Sequence, residues 1–119
     1  VACPNFENIY STYPARQGET IDEKCKRILK YYGPEIEIKK TREELRELCD
    51  ILLVHLSYLQ DDGCFSEFTR GIMEEMADVY VCLLHLKNIF KFSEMTMQEE
   101  IERKVNRQLE RIKNEQSSN

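Results

Sequence analysis

Residues Glu74–Leu86 read EEMADVYVCLLHL, an acidic cluster set directly against a long apolar run. The apolar residues recur with the period of a helix. One stripe runs Ile72, Met76, Val79, Leu83, Leu86 and Phe90; a second runs Glu75, Asp78, Cys82, His85 and Ile89. A helix apolar over so wide an arc needs cover on more than one side, so Glu75 and Asp78 continue a stripe that is expected to be buried. The stretch EELRELCDILLVHL, 31 residues earlier, repeats the arrangement. Its main stripe is Leu45, Leu48, Cys49, Leu52, Leu56 and Leu59, and its second is Glu44, Glu47, Ile51, His55 and Tyr58.

Outward from these two stretches the chain reads as all-α. Thr20–Glu23 (TIDE) is a capping box, and Ile21, Cys25, Ile28, Leu29 and Tyr32 supply the apolar face of a first helix that Gly33-Pro34 ends. The second helix is expected from about Glu35 to Gln60, with TREE at Thr41 as an alternative start. Asp61–Gly63 (DDG) is a turn signal. Ser66 is a candidate N-cap for a third helix reaching about Phe92. Thr96–Glu99 (TMQE) is the expected opening of a fourth, whose face is Ile101, Val105, Leu109 and Ile112. Residues 1–18, with Pro4, Pro14, Phe6, Tyr10 and Tyr13, are expected to be an irregular arm, and residues 114–119 a frayed tail. The expectation is one domain over residues 1–119: a compact four-helix arrangement with an antiparallel central pair, because the loop between helices two and three is short.

Composition narrows the function classes. A net charge of −5 over 119 residues argues against nucleic acid as a partner, since a basic stripe is its usual footprint. Local basic groups can still hold a small phosphorylated ligand; Lys39, Lys40 and Arg42 lie about one turn before the first acid pair. No apolar run approaches the roughly 20 residues of a membrane span, and VACPNFENIY lacks a signal-peptide pattern. Five cysteines without CxxC spacing point to a reducing cytoplasm, with no disulfide framework and no structural zinc.

Acid pairs at i, i+3 are common on solvated helix faces, so the company they keep decides how to read them. Glu99 and Glu100 have Arg103 and Lys104 four residues on, the favourable ion-pair order. At the same offset, Glu44, Glu47, Glu75 and Asp78 have Leu48, Ile51, Val79 and Cys82. Only Glu44 has a basic residue one turn before it, Lys40. Carboxylates buried without a partner must take up protons or find a cation. Four of them converging from two facing helices form a hard, oxygen-only site suited to Mg²⁺, with Mn²⁺ as an alternative.

E-x-x-E at Glu44 and Glu47, then E-x-x-D at Glu75 and Asp78 after a gap of 27 residues, resembles the signature of MazG-like all-α nucleoside triphosphate pyrophosphohydrolases. The doubled acids of EELREL and EEMADV and the late K-x-x-R at Lys104 and Arg107 add to the likeness, which covers about Tyr31 to Lys113. The resemblance implies hydrolysis of a nucleoside triphosphate to a monophosphate and pyrophosphate, as nucleotide-pool house-cleaning. It implies Mg²⁺ on Glu44, Glu47, Glu75 and Asp78, with Glu44 or Glu47 accepting the proton of the attacking water. It further implies phosphate contacts from Lys104 and Arg107, and a homo-oligomer, dimer or tetramer, with a pocket shared between chains. The residues themselves agree: paired metals and carboxylates suffice for phosphoryl transfer, and the chain has no GxSxG, GKS/GKT or HExxH motif.

Two alternatives stand beside this reading. The acids can rim a non-catalytic helical module that self-associates or binds nucleotide without hydrolysing it. His55 and His85, the only two histidines, each lack a Glu three residues before them, which disfavours the E-x-x-H of a ferritin-like di-iron site. Both are expected to be hydrogen-bonded, partly buried structural groups. Gly71 either permits a close approach of another helix or marks the start of its own.

Overall fold

The computed structural model describes residues 18–56 and 67–118. The expected arm, the DDG turn and the Ser66 cap lie outside the described residues. Four α-helices are present: α1 (Ile21–Tyr32), α2 (Pro34–Leu56), α3 (Glu67–Phe90) and α4 (Glu94–Ser117), with no strand among the described residues. None of the helices is long and apolar enough to cross a membrane. The chain forms two compact units, Val1–Ile89 and Phe90–Asn119.

In the first unit, α1 begins with the capping box the sequence announces. The Glu23 N–H donates to Thr20 Oγ1 at 3.1 Å, and the Thr20 N–H donates to Glu23 Oε2 at 3.2 Å. Gly33 ends the helix at φ 86°, a conformation open to glycine at little cost, and its N–H donates to the Leu29 carbonyl. Pro34 then occupies the first position of α2, where its missing N–H costs nothing. The helix runs unbroken through Thr41, so there is no later start at TREE. On α3, an added Cβ at Gly71 would lie 3.2 Å from Ile51 Cδ1. Gly71 is therefore a point of close approach between α2 and α3, not a helix start. Asn88 ties α3 to α1, its Nδ2 donating to Asp22 Oδ1 at 3.4 Å.

The α2/α3 pair has a simple register. Glu37 faces His85, Glu44 lies with Asp78, and Ile51 meets Gly71. Each step of seven residues forward along α2 is matched by seven back along α3, so the helices run antiparallel with a heptad-spaced seam. The acid-bearing second stripes form this seam. Among the described residues of the unit, those buried alongside Cys25, Val79, Cys82 and Leu84 are Glu37, Thr41 and His85. The leucine stripe of α2 is turned away: Leu45 is 46% exposed, Leu52 44% and Leu56 62%. On α3, Met76, Leu83 and Phe90 are also exposed. The helices meet along the acid-bearing stripes, as their expected burial requires, and not along their leucines.

In the second unit, α4 opens three residues before the expected box. Lys91 adopts φ 58° and Ser93 is extended at φ −75°, ψ 152°, so Ser93 becomes the N-cap. Its Oγ accepts the Thr96 N–H at 3.1 Å and donates to Thr96 Oγ1 at 2.7 Å. Thr96 is thereby used as a first-turn residue. At the C-terminus α4 continues to Ser117, into the stretch expected to be a frayed tail. Ser117 Oγ and Ser118 Oγ donate to the carbonyls of Lys113 and Asn114, each at 2.9 Å, and the Ser118 N–H donates to the Asn114 and Glu115 carbonyls.

Candidate metal centre

Three of the four motif acids come together. Glu44 on α2 and Glu75 and Asp78 on α3 each offer one carboxylate oxygen, all within 4.8 Å of one another. Glu44 and Glu75 are half-buried, Asp78 and Glu47 exposed. One oxygen of Glu44 and one of Glu75 are buried with no hydrogen-bond partner. Glu47 stands near this group, where its carboxylate acts on both half-buried acids.

The electrostatics follow from this crowding. Burial, followed by the Glu47 and Asp78 carboxylates, pushes the Glu44 carboxyl above its ordinary value near 4.5. Burial and the same two neighbours push Glu75 upward as well. The second acid of the doublet, Glu74, takes another direction: it is exposed and lies 3.7 Å from Arg70, one turn before it. Glu75 has no such partner among the described residues. Adjacent residues on one helix thus separate into a solvated ion pair and an uncompensated inward carboxylate.

The donor set fits a hard divalent cation. An octahedral Mg²⁺ holds oxygens about 3 Å apart when adjacent and about 4.2 Å apart when opposite. At most one pair among three such donors is opposite, so oxygens within 4.8 Å of one another would draw closer round the ion, the adjacent pairs to about 3 Å. The orphaned oxygens of Glu44 and Glu75 are the acceptors a cation would satisfy.

Lys104 and Arg107, the expected phosphate ligands, are exposed on α4 in the second unit. Lys39 pairs with Glu35 at 3.1 Å, whereas Lys40 lines a pocket of about 110 Å³ that also includes Glu44 and Asp78. The opposite end of this pocket holds a pair that the motif search missed, Glu37 and His85, with Nε2 3.7 Å from Oε2. The available signal was the heptad itself, since Glu37 lies seven residues before Glu44 and His85 seven after Asp78. The histidines also depart from expectation, because the buried Nδ1 atoms of His55 and His85 have no hydrogen-bond partner. Burial lowers the His85 pKa, and Lys40 adds to the effect while Glu37 opposes it.

Cys25 and Cys82 are buried free thiols and Cys49 an exposed one. Burial pushes the Cys25 and Cys82 thiols up, away from reactivity. No family model, curated protein or solved structure matches the chain.

Proposed function

We propose that this protein is a Mg²⁺-dependent nucleoside triphosphate pyrophosphohydrolase of MazG-like type. The observation that carries the reading is the meeting of Glu44, Glu75 and Asp78, with Glu47 beside them, on two antiparallel helices, with no ion pair to them among the described residues. The spacing of these acids in the sequence and the register of the seam both support the reading.

In this reading the four carboxylates hold the Mg²⁺, which when bound neutralises phosphate oxygens and orients a water molecule. Glu44 and Glu75, half-buried and anchored on facing helices, fix the geometry of the cluster. Glu47 is more exposed and takes the proton from the attacking water. That water adds to the α-phosphorus, the bond from the α-phosphorus to the bridging oxygen breaks, and pyrophosphate leaves with the electron pair. Lys104 and Arg107 are the proposed phosphate contacts, on the strength of their K-x-x-R spacing. Incubation with a panel of ribo- and deoxyribonucleoside triphosphates and Mg²⁺ is expected to give monophosphate and pyrophosphate in equal amounts. Release of orthophosphate alone overturns the bond assignment.

A second reading has its own observation. The exposed Leu45, Leu52 and Leu56 are an apolar stripe of a kind that monomers seldom leave bare, and it suits self-association into a dimer or tetramer. Sedimentation of the wild type against Leu52→Lys tests it: the wild type is expected to be oligomeric and the variant to dissociate. Self-association without pyrophosphate release would make the chain a helical assembly module instead of an enzyme.

A further inference from the structure

One heptad along the seam from the acid cluster, Glu37 and His85 sit 2% and 3% exposed. They are too far apart for a hydrogen bond: Nε2 to Oε2 is 3.7 Å. Glu37 Oε2 and His85 Nδ1 have no hydrogen-bond partner at all. Thr41, one turn on, donates its hydroxyl to the Glu37 backbone carbonyl at 2.8 Å and so leaves the carboxylate unserved. A carboxylate oxygen this deep without a donor is unfavourable unless something lies between it and the Nε2 it faces, whereas His85 Nδ1, on another side of the ring, is a separate orphan. Both line the pocket of about 110 Å³, which has room for an ion and its waters.

We propose that Glu37 and His85 form a second cation site, with mixed nitrogen and oxygen donors, that takes a transition ion such as Zn²⁺ or Co²⁺ in preference to Mg²⁺. Zinc binds imidazole nitrogen and carboxylate oxygen at about 2.0–2.2 Å. Bonds of that length place the two donor atoms roughly 3.4 to 3.7 Å apart as the angle at the metal opens from about 110° to about 125°. The observed 3.7 Å separation falls at the wide end of that range. Burial holds the imidazole neutral, with a ring nitrogen free to coordinate. Mg²⁺ prefers oxygen ligands and keeps its water, so it discriminates against this pair and favours the all-carboxylate cluster. The seam then carries two cation positions of different chemistry, one heptad apart, with the pocket between them. The proposal stands apart from any reaction, since it needs neither nucleotide nor turnover.

The chain has only two histidines, so their side-chain resonances test the site directly. In ¹⁵N-labelled protein, one equivalent of Zn²⁺ is expected to shift the ring nitrogens of His85 and leave those of His55 in place, whereas Mg²⁺ moves neither. The same result is expected in Glu75→Gln protein, which removes a ligand of the acid cluster without touching the pocket lining. Failure of the acid cluster and failure of this site are therefore told apart. Glu37→Gln should weaken Zn²⁺ binding at least roughly tenfold, the cost of losing even an outer partner of a metal ligand. His85 signals unmoved by Zn²⁺, a response from His55 alone, or unchanged affinity in Glu37→Gln would each overturn the proposal and leave the pair bridged by water.

Discussion

The α2/α3 seam and helix α4 use the same residue types to opposite ends. On α4, Glu100 accepts from Arg103 Nε at 3.0 Å, and a second guanidinium N–H completes the fork. Hydrogen bonding to Arg103 holds the Glu100 carboxyl below its ordinary value. On the seam, Glu44 and Glu75 are pushed the other way by burial and by one another's neighbours. An i, i+3 pair of charges does not identify a site in either region. What separates the two regions is that Glu100 has its positive charge on the same helix, whereas Glu44 and Glu75 have none paired to them among the described residues.

The largest expected effect on this contrast is on turnover. Asp78→Asn or Glu47→Gln should reduce pyrophosphate release by on the order of 10²-fold or more. The helical circular dichroism should stay unchanged, because these groups contribute little packing. Full activity in both variants would mean that the seam acids are spectators like those of α4.

The second effect is thermal. Mg²⁺ at 100 times its dissociation constant should stabilise the protein by about 2.7 kcal/mol, read as a rise in melting temperature. An unchanged melting temperature would place the seam and α4 in the same class.

Packing supplies the third test. Gly71→Leu should drive α3 away from Ile51 and cost about 1–3 kcal/mol of stability, measured by denaturant melts. It should also abolish the Mg²⁺ response, since the acid cluster depends on the same helix approach.

The fourth concerns pH. Raised folded-state pKa values mean that the native protein binds more protons than the unfolded chain between about pH 4.5 and the raised values. Without metal, stability should therefore fall as pH rises through that window. Saturating Mg²⁺ should flatten the profile, as should Glu44→Gln. Glu100 has the opposite sign, because its lowered pKa adds stability as pH rises from below its ordinary value. Its exposed position makes that contribution the smallest of all, and Glu100→Gln should leave the melting temperature unchanged.

Much of this was legible in the sequence because local rules govern it. The Thr20–Glu23 box, the Gly33 stop and the pairing of Glu44 with Asp78 follow from capping, φ preference and period. The start of α4 was misread because Ser93 and Thr96 both resemble N-caps; the reversal at Lys91 that selects Ser93 is a backbone fact without a sequence signature. The orientation of α2 was left open for a different reason. Hydrophobicity ranks the leucine stripe as the inner one, but a helix with two apolar stripes does not state which one faces its neighbour in the same chain. Glu37 escaped notice because it lies outside any motif, and only the seam's heptad connects it to the acids.

Mn²⁺ bound to the full chain, read by electron paramagnetic resonance, tests the convergence of the acids most directly. The account predicts that the free-ion signal disappears on addition of protein, returns when Mg²⁺ competes, and persists in Glu75→Gln. A signal untouched by the wild-type protein, or quenched equally well by the Glu75→Gln variant, would contradict it.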